Sequence, residues 1–413
     1  MTEDQNRPFP GFICRRITTH FIYSLAVSRQ NVRQNMPAPD GWSGGTPPDR
    51  VGIVPHLELK EGNHHWMLGP DREVSLHAKT GNSPPMEGKI RTLRRLFPTS
   101  ATCTIQFETV GDTRPFHTKD VLAVLNLVTQ RKDVPPETGI HLPGAATDRA
   151  LYSCFLDEIE GSDGICRPSP QIAWVDKDEQ LVDTGSETQS PWVVTIAEVN
   201  EEVAADFCGP GEISSDPARA KMLRIKQYER DIAPILFRSV SEMLVLEPAY
   251  VQPPTPVGVP GLFSVNLDAR LFVGMSRRAI LCICLNKDQD PAAYFIPGLL
   301  DICELVRARW HSLVILNKLL DRTISEIREQ VGTRPYRQGR LMEMRARLAA
   351  CLEDPTLYIV AGDALSKLHA DLRDMFRLDE LRNTLLLKVD LADKVFSDLQ
   401  ELEWMKAKKM DQP

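Results

Sequence analysis

Ten positions in the C-terminal third constrain this chain more than any other feature. Leu299, Cys303, Val306, Trp310, Leu313, Asn317, Leu320, Ile324, Ile327 and Val331 follow one another at alternating spacings of four and three without a break. A seam with that period stays on one side of a helix and must be covered by another helix. Asn317 falls at an a position, where a lone asparagine fixes the pairing register by hydrogen bonding, at some cost in stability. Val314, Leu316 and Leu319 widen the apolar face, which suits packing inside a bundle better than a narrow two-stranded seam. The covering helix can come from the same chain or from another, and the spacing leaves both open.

More helices follow. Arg340–Leu352 stops at Glu353-Asp354-Pro355, Leu357–Phe376 carries Val360, Ala364, Leu368, Leu372 and Met375, and Asp379–Lys408 carries Leu381, Leu385, Val389, Ala392, Phe396, Leu399 and Leu402. Helices of such length make an antiparallel bundle or an extended hairpin over about residues 291–409.

The region before them reads differently. Residues 1–50 begin with an apolar piece and run into a segment too rich in proline and glycine for a helix or an interior strand. Short strand-like runs follow at Val51–Lys60, Trp66–Leu68, Glu73–Lys79 and Thr102–Val110, with Glu61-Gly62-Asn63 and Gly69-Pro70-Asp71 as turns between them. The basic stretch Lys89–Phe97 reads as a helical turn or two. Helices are expected at Thr118–Gln130, Asp148–Glu160 and Pro217–Phe237, strands at Gln171–Asp176 and Trp192–Val199, and a hairpin from Arg270–Gly274 and Ala279–Leu285. The fold class expected is therefore α+β. A mixed region over residues 51–290, with a possible break near 131–147 or 208–217, precedes the bundle or hairpin of long helices.

Charge and cysteine narrow the function classes. The net charge of −7 argues against a general nucleic-acid binder, and residues 101–217 alone carry a balance of −14. Such a segment is ordinarily a solvated surface, although it could also face a basic partner. The nine cysteines are scattered without a CxxC pair, which fits reduced thiols in a cytoplasm better than a disulfide framework. No run approaches the roughly 20 apolar residues of a membrane span, and Ile17–Val27 lacks the shape of a signal peptide.

Motifs for common chemistry are missing: no GxxxxGK[ST], no GxGxxG between strand and helix, no GxSxG, no HExxH. His56, His65 and His77 on neighbouring expected strands are weak candidates for an imidazole metal site. Asp288 and Asp290 in a strand-end loop are weak candidates for a divalent cation, a spacing that arises often by chance. Cys282 and Cys284 are accounted for by packing, and Cys154 with His117 or His141 gives no nucleophile that can be ranked. Two arginine clusters, Arg91/Arg94/Arg95 and Arg334/Arg337/Arg340, could hold an anion, the second at the tip between helices, although such clusters are more often solvated charge.

No motif places the chain in a family. At the level of plan alone, an α+β front before long helices resembles the cytoplasmic part of CorA-type cation channels, without their Gly-Met-Asn signature or membrane spans, and this carries over no residue and no activity. The reading is a non-enzymatic interaction or regulatory protein without a cofactor. Its α+β region would recognise a ligand or partner, and its helices would assemble with themselves or another protein through Val306, Trp310, Leu313, Asn317, Leu320, Ile324 and Ile327. The rival is a metal-dependent enzyme or small-molecule sensor with its site in the α+β region; nucleic-acid binding through the arginines comes third. Leu320→Asp places a charge in the seam and should destabilise the fold or dissociate a partner. An unchanged melting temperature together with an unchanged assembly state would show that the seam is misread.

Overall fold

The computed structural model describes residues 13–27, 43–44, 66–78, 85–97, 100–109, 116–117, 138–141, 166–167, 191–200, 263–267, 271–275, 279–288, 292–329, 334–352 and 363–410. The expected elements at Val51–Lys60, Thr118–Gln130, Asp148–Glu160, Gln171–Asp176 and Pro217–Phe237 lie outside them. The architecture is α+β: one mixed sheet from the N-terminal and central parts, and long C-terminal helices.

The sheet is centred on β1 (Ile13–Val27), which comes from the segment expected only to precede the α+β region. β1 lies between β10 (Trp192–Val199) and β6 (Ser100–Thr109), antiparallel to both. Beyond β6 come β5 (Met86–Leu96) and then, in succession along one edge of β5, β3 (Trp66–Leu68) and β4 (Arg72–Ala78). Beyond β10 come β13 (Ala279–Cys284), paired in parallel, then β12 (Leu271–Met275) and β11 (Phe263–Leu267). β2 (Ser43–Gly44), β7 (Phe116–His117), β8 (Thr138–His141) and β9 (Cys166–Arg167) add short pairings on β3, β1, β4 and β1.

Two expectations are corrected here. The basic stretch Lys89–Phe97 belongs to strand β5, where exposed Glu87 and Lys89 alternate with buried Met86, Gly88 and Ile90 before the fully buried run from Thr92 to Arg95. Two of its arginines meet carboxylates: exposed Asp71 accepts from Arg91, and buried Asp301 and Glu304 pair with Arg95. Gly69-Pro70-Asp71 does not reverse the chain. It interrupts one edge strand, with Leu68 opposite Leu93 and Arg72 opposite Ile90, while the Gly69 N–H still donates to the Thr92 carbonyl at 2.8 Å. Pro70 has no N–H for the ladder, which is why the pairing breaks there.

Alternation along β1 assigns the two faces of the sheet. Ile17, Phe21, Val193, Ile105, Phe107, Leu281 and Ile283 share one face and are fully buried. The other face carries Ile22, Trp192, Val194, Ile196, Ile280, Cys282 and Val273, which join the helices in one core. Strands covered on both sides read as continuous apolar runs, as β10, β12 and β13 do. Cys14, Cys103, Cys282, Cys284 and Cys303 form no disulfide and all sit buried in this interior.

Four helices complete the described fold: α1 (Ala292–Arg328), α2 (Arg334–Leu352), α3 (Asp363–Met375) and α4 (Leu378–Met410). From Gly298 to Ala308 every residue of α1 is buried, as expected of a helix wedged between a sheet and other helices. Two contacts order α3 and α4 beside it. Leu365 lies against Gly298, and Phe376 lies against Trp310 with ring centroids 5.8 Å apart. The next contact comes eleven to twelve residues further along each helix, where Lys388 meets Asp321. The α3–α4 line therefore runs parallel to α1 along most of its length. α2 runs the other way, because Arg337 pairs with Glu403 and Arg345 pairs with Asp393.

α3 and α4 meet at Phe376-Arg377. Arg377 takes a positive φ of 51°, the left-handed cap that ends a helix, which costs a non-glycine residue about 1 kcal/mol. The compensation is Phe376, buried edge-on against Trp192 of the sheet at 5.0 Å. Asp379 and Glu380 then begin α4 with favourable charge for its N-terminal dipole.

Gly88 shows how tight the other side of the sheet is. A Cβ there would stand 2.3 Å from the Phe107 ring and 2.8 Å from the Glu108 carbonyl oxygen, and a backbone atom cannot step aside cheaply. Gly88→Ala should therefore cost about 1–3 kcal/mol, read as a melting temperature several degrees lower. A variant that melts with the parent would mean that β5 and β6 are not this closely paired.

Candidate interaction face and a buried polar layer

The helix-facing side of β1, β6 and β5 is mostly polar, with Ile22 and Leu93 as apolar exceptions, where that of β10, β13 and β12 is apolar. Thr18, His20 and Ser24 alternate along β1, beside Gln106, Thr104 and Thr102 on β6, with Arg95 beyond on β5. α1 lays Asp301, Glu304 and Arg307 across this strip at helical spacings of three. Arg95 reaches Asp301 at 3.1 Å and Glu304 at 3.5 Å, the Thr104 hydroxyl donates to Glu304 at 2.8 Å, and the Ser24 hydroxyl meets the Arg307 carbonyl at 3.5 Å. All the side chains that make these contacts are nearly inaccessible. The Arg95 guanidinium also sits 5.0 Å from the Phe97 ring centroid, and that of Arg307 sits 4.6 Å over Trp310.

One turn further on, His311 is fully buried and its Nδ1 has no hydrogen-bond partner. Burial, and then the neighbouring Arg307 cation, push its pKa down to about 3, so it stays neutral. On the same side of the sheet, burial pushes the Cys282 thiol up and keeps it protonated, which makes it a poor nucleophile. The layer binds sheet to helix. Its charges are spent on each other.

A second cluster lies where β10 and β13 end. Lys287 donates to Glu108 at 2.6 Å and to the Thr18 hydroxyl at 3.5 Å, and Arg16 lies 3.8 Å from Glu108 and 3.7 Å from Glu198. Burial raises the Glu198 pKa, the Arg16 and Lys287 cations oppose that rise, and Asp288 adds to it. Arg16 and Lys287 are thus both engaged by Glu108 and Glu198, with Asp288 close by.

The candidate residues read from the sequence fall as follows. Val306, Trp310, Leu313, Leu320, Ile324 and Ile327 are buried against neighbouring elements of the same chain. Asn317 is half-buried and accepts a hydrogen bond from the Lys388 ammonium of α4 at 2.8 Å, which satisfies the polar position in the seam. Arg337 is buried and holds Glu403 at 3.0 Å. Arg334 and Arg340 belong to α2, but their side chains lie outside the described residues, as does that of His77 on β4. His56, His65 and Asp290 lie outside them entirely, and Asp288 is exposed in the turn after β13. Among the described residues no three metal-ligating side chains come together, and no helix is long and apolar enough to cross a membrane.

What the sequence reading missed is the outer face of α4. Its inner face (Leu378, Leu385, Val389, Ala392) is buried in the shared core. On the other side Leu387, Leu391, Leu402 and Met405 stand 71%, 43%, 48% and 47% exposed, and Trp404 at 64% flanks them. The signal was in the sequence, since Leu385-Leu386-Leu387 and Leu402-Glu403-Trp404-Met405 put apolar residues on more than one side of a single helix. No family model, curated protein or solved structure matches this chain.

His311 gives a pH test. Its folded pKa lies below the ordinary histidine value, so its contribution to stability is present above about pH 6.5 and is lost as pH falls towards about 3. That loss has a slope of up to roughly 1.4 kcal/mol per pH unit. In His311→Gln the denaturation midpoint should fall less between neutral and mildly acidic pH than in the parent. Parallel pH profiles for the two would rule out a buried neutral imidazole.

Proposed function

We propose that this chain is a non-enzymatic interaction or regulatory protein, with an α+β region that recognises a ligand or partner and C-terminal helices that mediate assembly. The observation that carries this reading is the outer face of α4. The seam of α1 is already filled by the chain's own helices, so its apolar positions are not available for assembly. α4 still offers solvent a row of large apolar side chains opposite its buried face. Large side chains grouped on one rigid helix are the signature of helix-in-groove or helix-on-helix recognition, whereas singly scattered ones mean little. The contact surface is thus assigned to α4 rather than to the seam.

The test is affinity capture with the tagged full-length chain from its native cells, beside Leu387→Asp/Leu402→Asp as control. Both positions are exposed, so the control should keep the parent's melting temperature. The expected result is a captured protein, or a second copy of the chain, that the control loses. Identical captures by the two would remove α4 from the contact and with it this reading.

A further inference from the structure

We propose that the occupant of the α4 face is the α4 of a second copy of this chain, laid antiparallel across it. This rests on the assignment of α4 as the contact surface and names what covers it. Along the exposed side the stripe runs Leu387, Leu391, Lys394, Asp398, Leu402, Met405, and all six are exposed. The order is nearly symmetric about its centre, with apolar residues paired outside and opposite charges paired inside. Leu387 and Met405 lie equally far from a midpoint at residue 396, as do Lys394 and Asp398, and Leu391 and Leu402 are centred half a residue away.

A two-fold axis at that midpoint sets Leu387 against Met405 of the second copy and Leu391 against its Leu402. Lys394 of each copy then faces Asp398 of the other, and a two-fold pairing makes each such contact twice. A parallel pairing in register would instead set Lys394 on Lys394 and Asp398 on Asp398, which like-charge repulsion disfavours. The central charges thus choose the direction and the flanking apolar pairs supply the burial. Asp390 and Glu401, on one flank, approach each other across the same axis and keep the association modest. The stripe spans about 27 Å of helix, and the short, half-charged contact it makes belongs to a reversible dimer.

Sedimentation velocity of the full-length chain across the micromolar range is the test, with charge reversals on the exposed stripe. The parent should show a reversible monomer–dimer equilibrium. Lys394→Asp alone and Asp398→Lys alone should each weaken the dimer by about tenfold or more. The two together restore opposite charges across the axis and should bring the dimer back, while all three variants keep the parent's melting temperature. A dimer indifferent to the reversals, or one that the double variant fails to restore, overturns the antiparallel pairing. A parent that stays monomeric while Leu387→Asp/Leu402→Asp abolishes capture of a different protein also overturns it, yet leaves α4 as the contact surface. A monomer that captures nothing removes both.

Discussion

Asp301 and Glu304 lie one helical turn apart in the fully buried stretch of α1, and the rest of the architecture depends on how that charge is met. An unpaired carboxylate at such a site would cost several kcal/mol or would have to take up a proton. Arg95, more than two hundred residues earlier, supplies the cation from the middle of the sheet, and Thr104 gives Glu304 a further hydrogen bond. A network of this kind adds little net stability compared with an apolar replacement, and its contacts are made with α1 at this one position along its axis. Apolar contacts between β1 and α1 would tolerate a slip of one turn, and this network does not. It fixes which turn of α1 crosses which strand.

Everything beyond the sheet follows from that placement. With Glu304 pinned over β6, Trp310 emerges where it can meet Phe376, and Phe376 in turn touches Trp192 on β10. One aromatic corner thus joins sheet, first helix and last helix pair, and a left-handed residue at Arg377 is tolerated to keep it. Further along, the half-buried pairing of Lys388 with Asn317 and Asp321 sets the register of α4 on α1. Polar contacts set position at both ends of α1, and the apolar seam between them supplies the burial.

The helical half was legible because periodicity is strong evidence when it is long and one-sided. The positions Leu299 to Ile327 all fall inside α1, Arg340–Leu352 lies inside the longer α2, the described part of Leu357–Phe376 holds α3, and Asp379–Lys408 lies inside α4. Strands Trp192–Val199 and the hairpin near residues 270–285 were legible as short β-rich apolar runs. Lys89–Phe97 was not. Within that stretch the apolar residues Ile90, Leu93 and Leu96 recur every three positions, a helix-like spacing, and the acids that meet its arginines, Asp71, Asp301 and Glu304, lie outside it in the sequence. β1 was obscured for a related reason. Its histidine and threonines look like interruptions until the polar residues of β6 are known to lie beside them. Such long-range compensation has no local signature.

The same reasoning explains why the α1 seam, the loudest pattern in the sequence, is buried within the chain itself. A heptad states only that an apolar face is covered, and in this chain α4 is among the elements that cover it. Coverage then passes along the structure: each helix that buries its inner face against α1 leaves an outer face, and its composition shows whether the packing ends there. The described outer residues of α2, among them Gln338, Arg345, Ala346 and Ala349, are polar or small, with Met342 as a single large apolar exception. α4 differs, because its outer face carries exposed Leu387 and Leu391 on one side of Lys394 and Asp398 and Leu402 and Met405 on the other, on a helix held by contacts to α1 and α2. A flexible segment would lose much of any binding energy to ordering, whereas a helix held in place before contact does not. That rigid support is what favours the proposed α4 contact over a chance cluster of leucines.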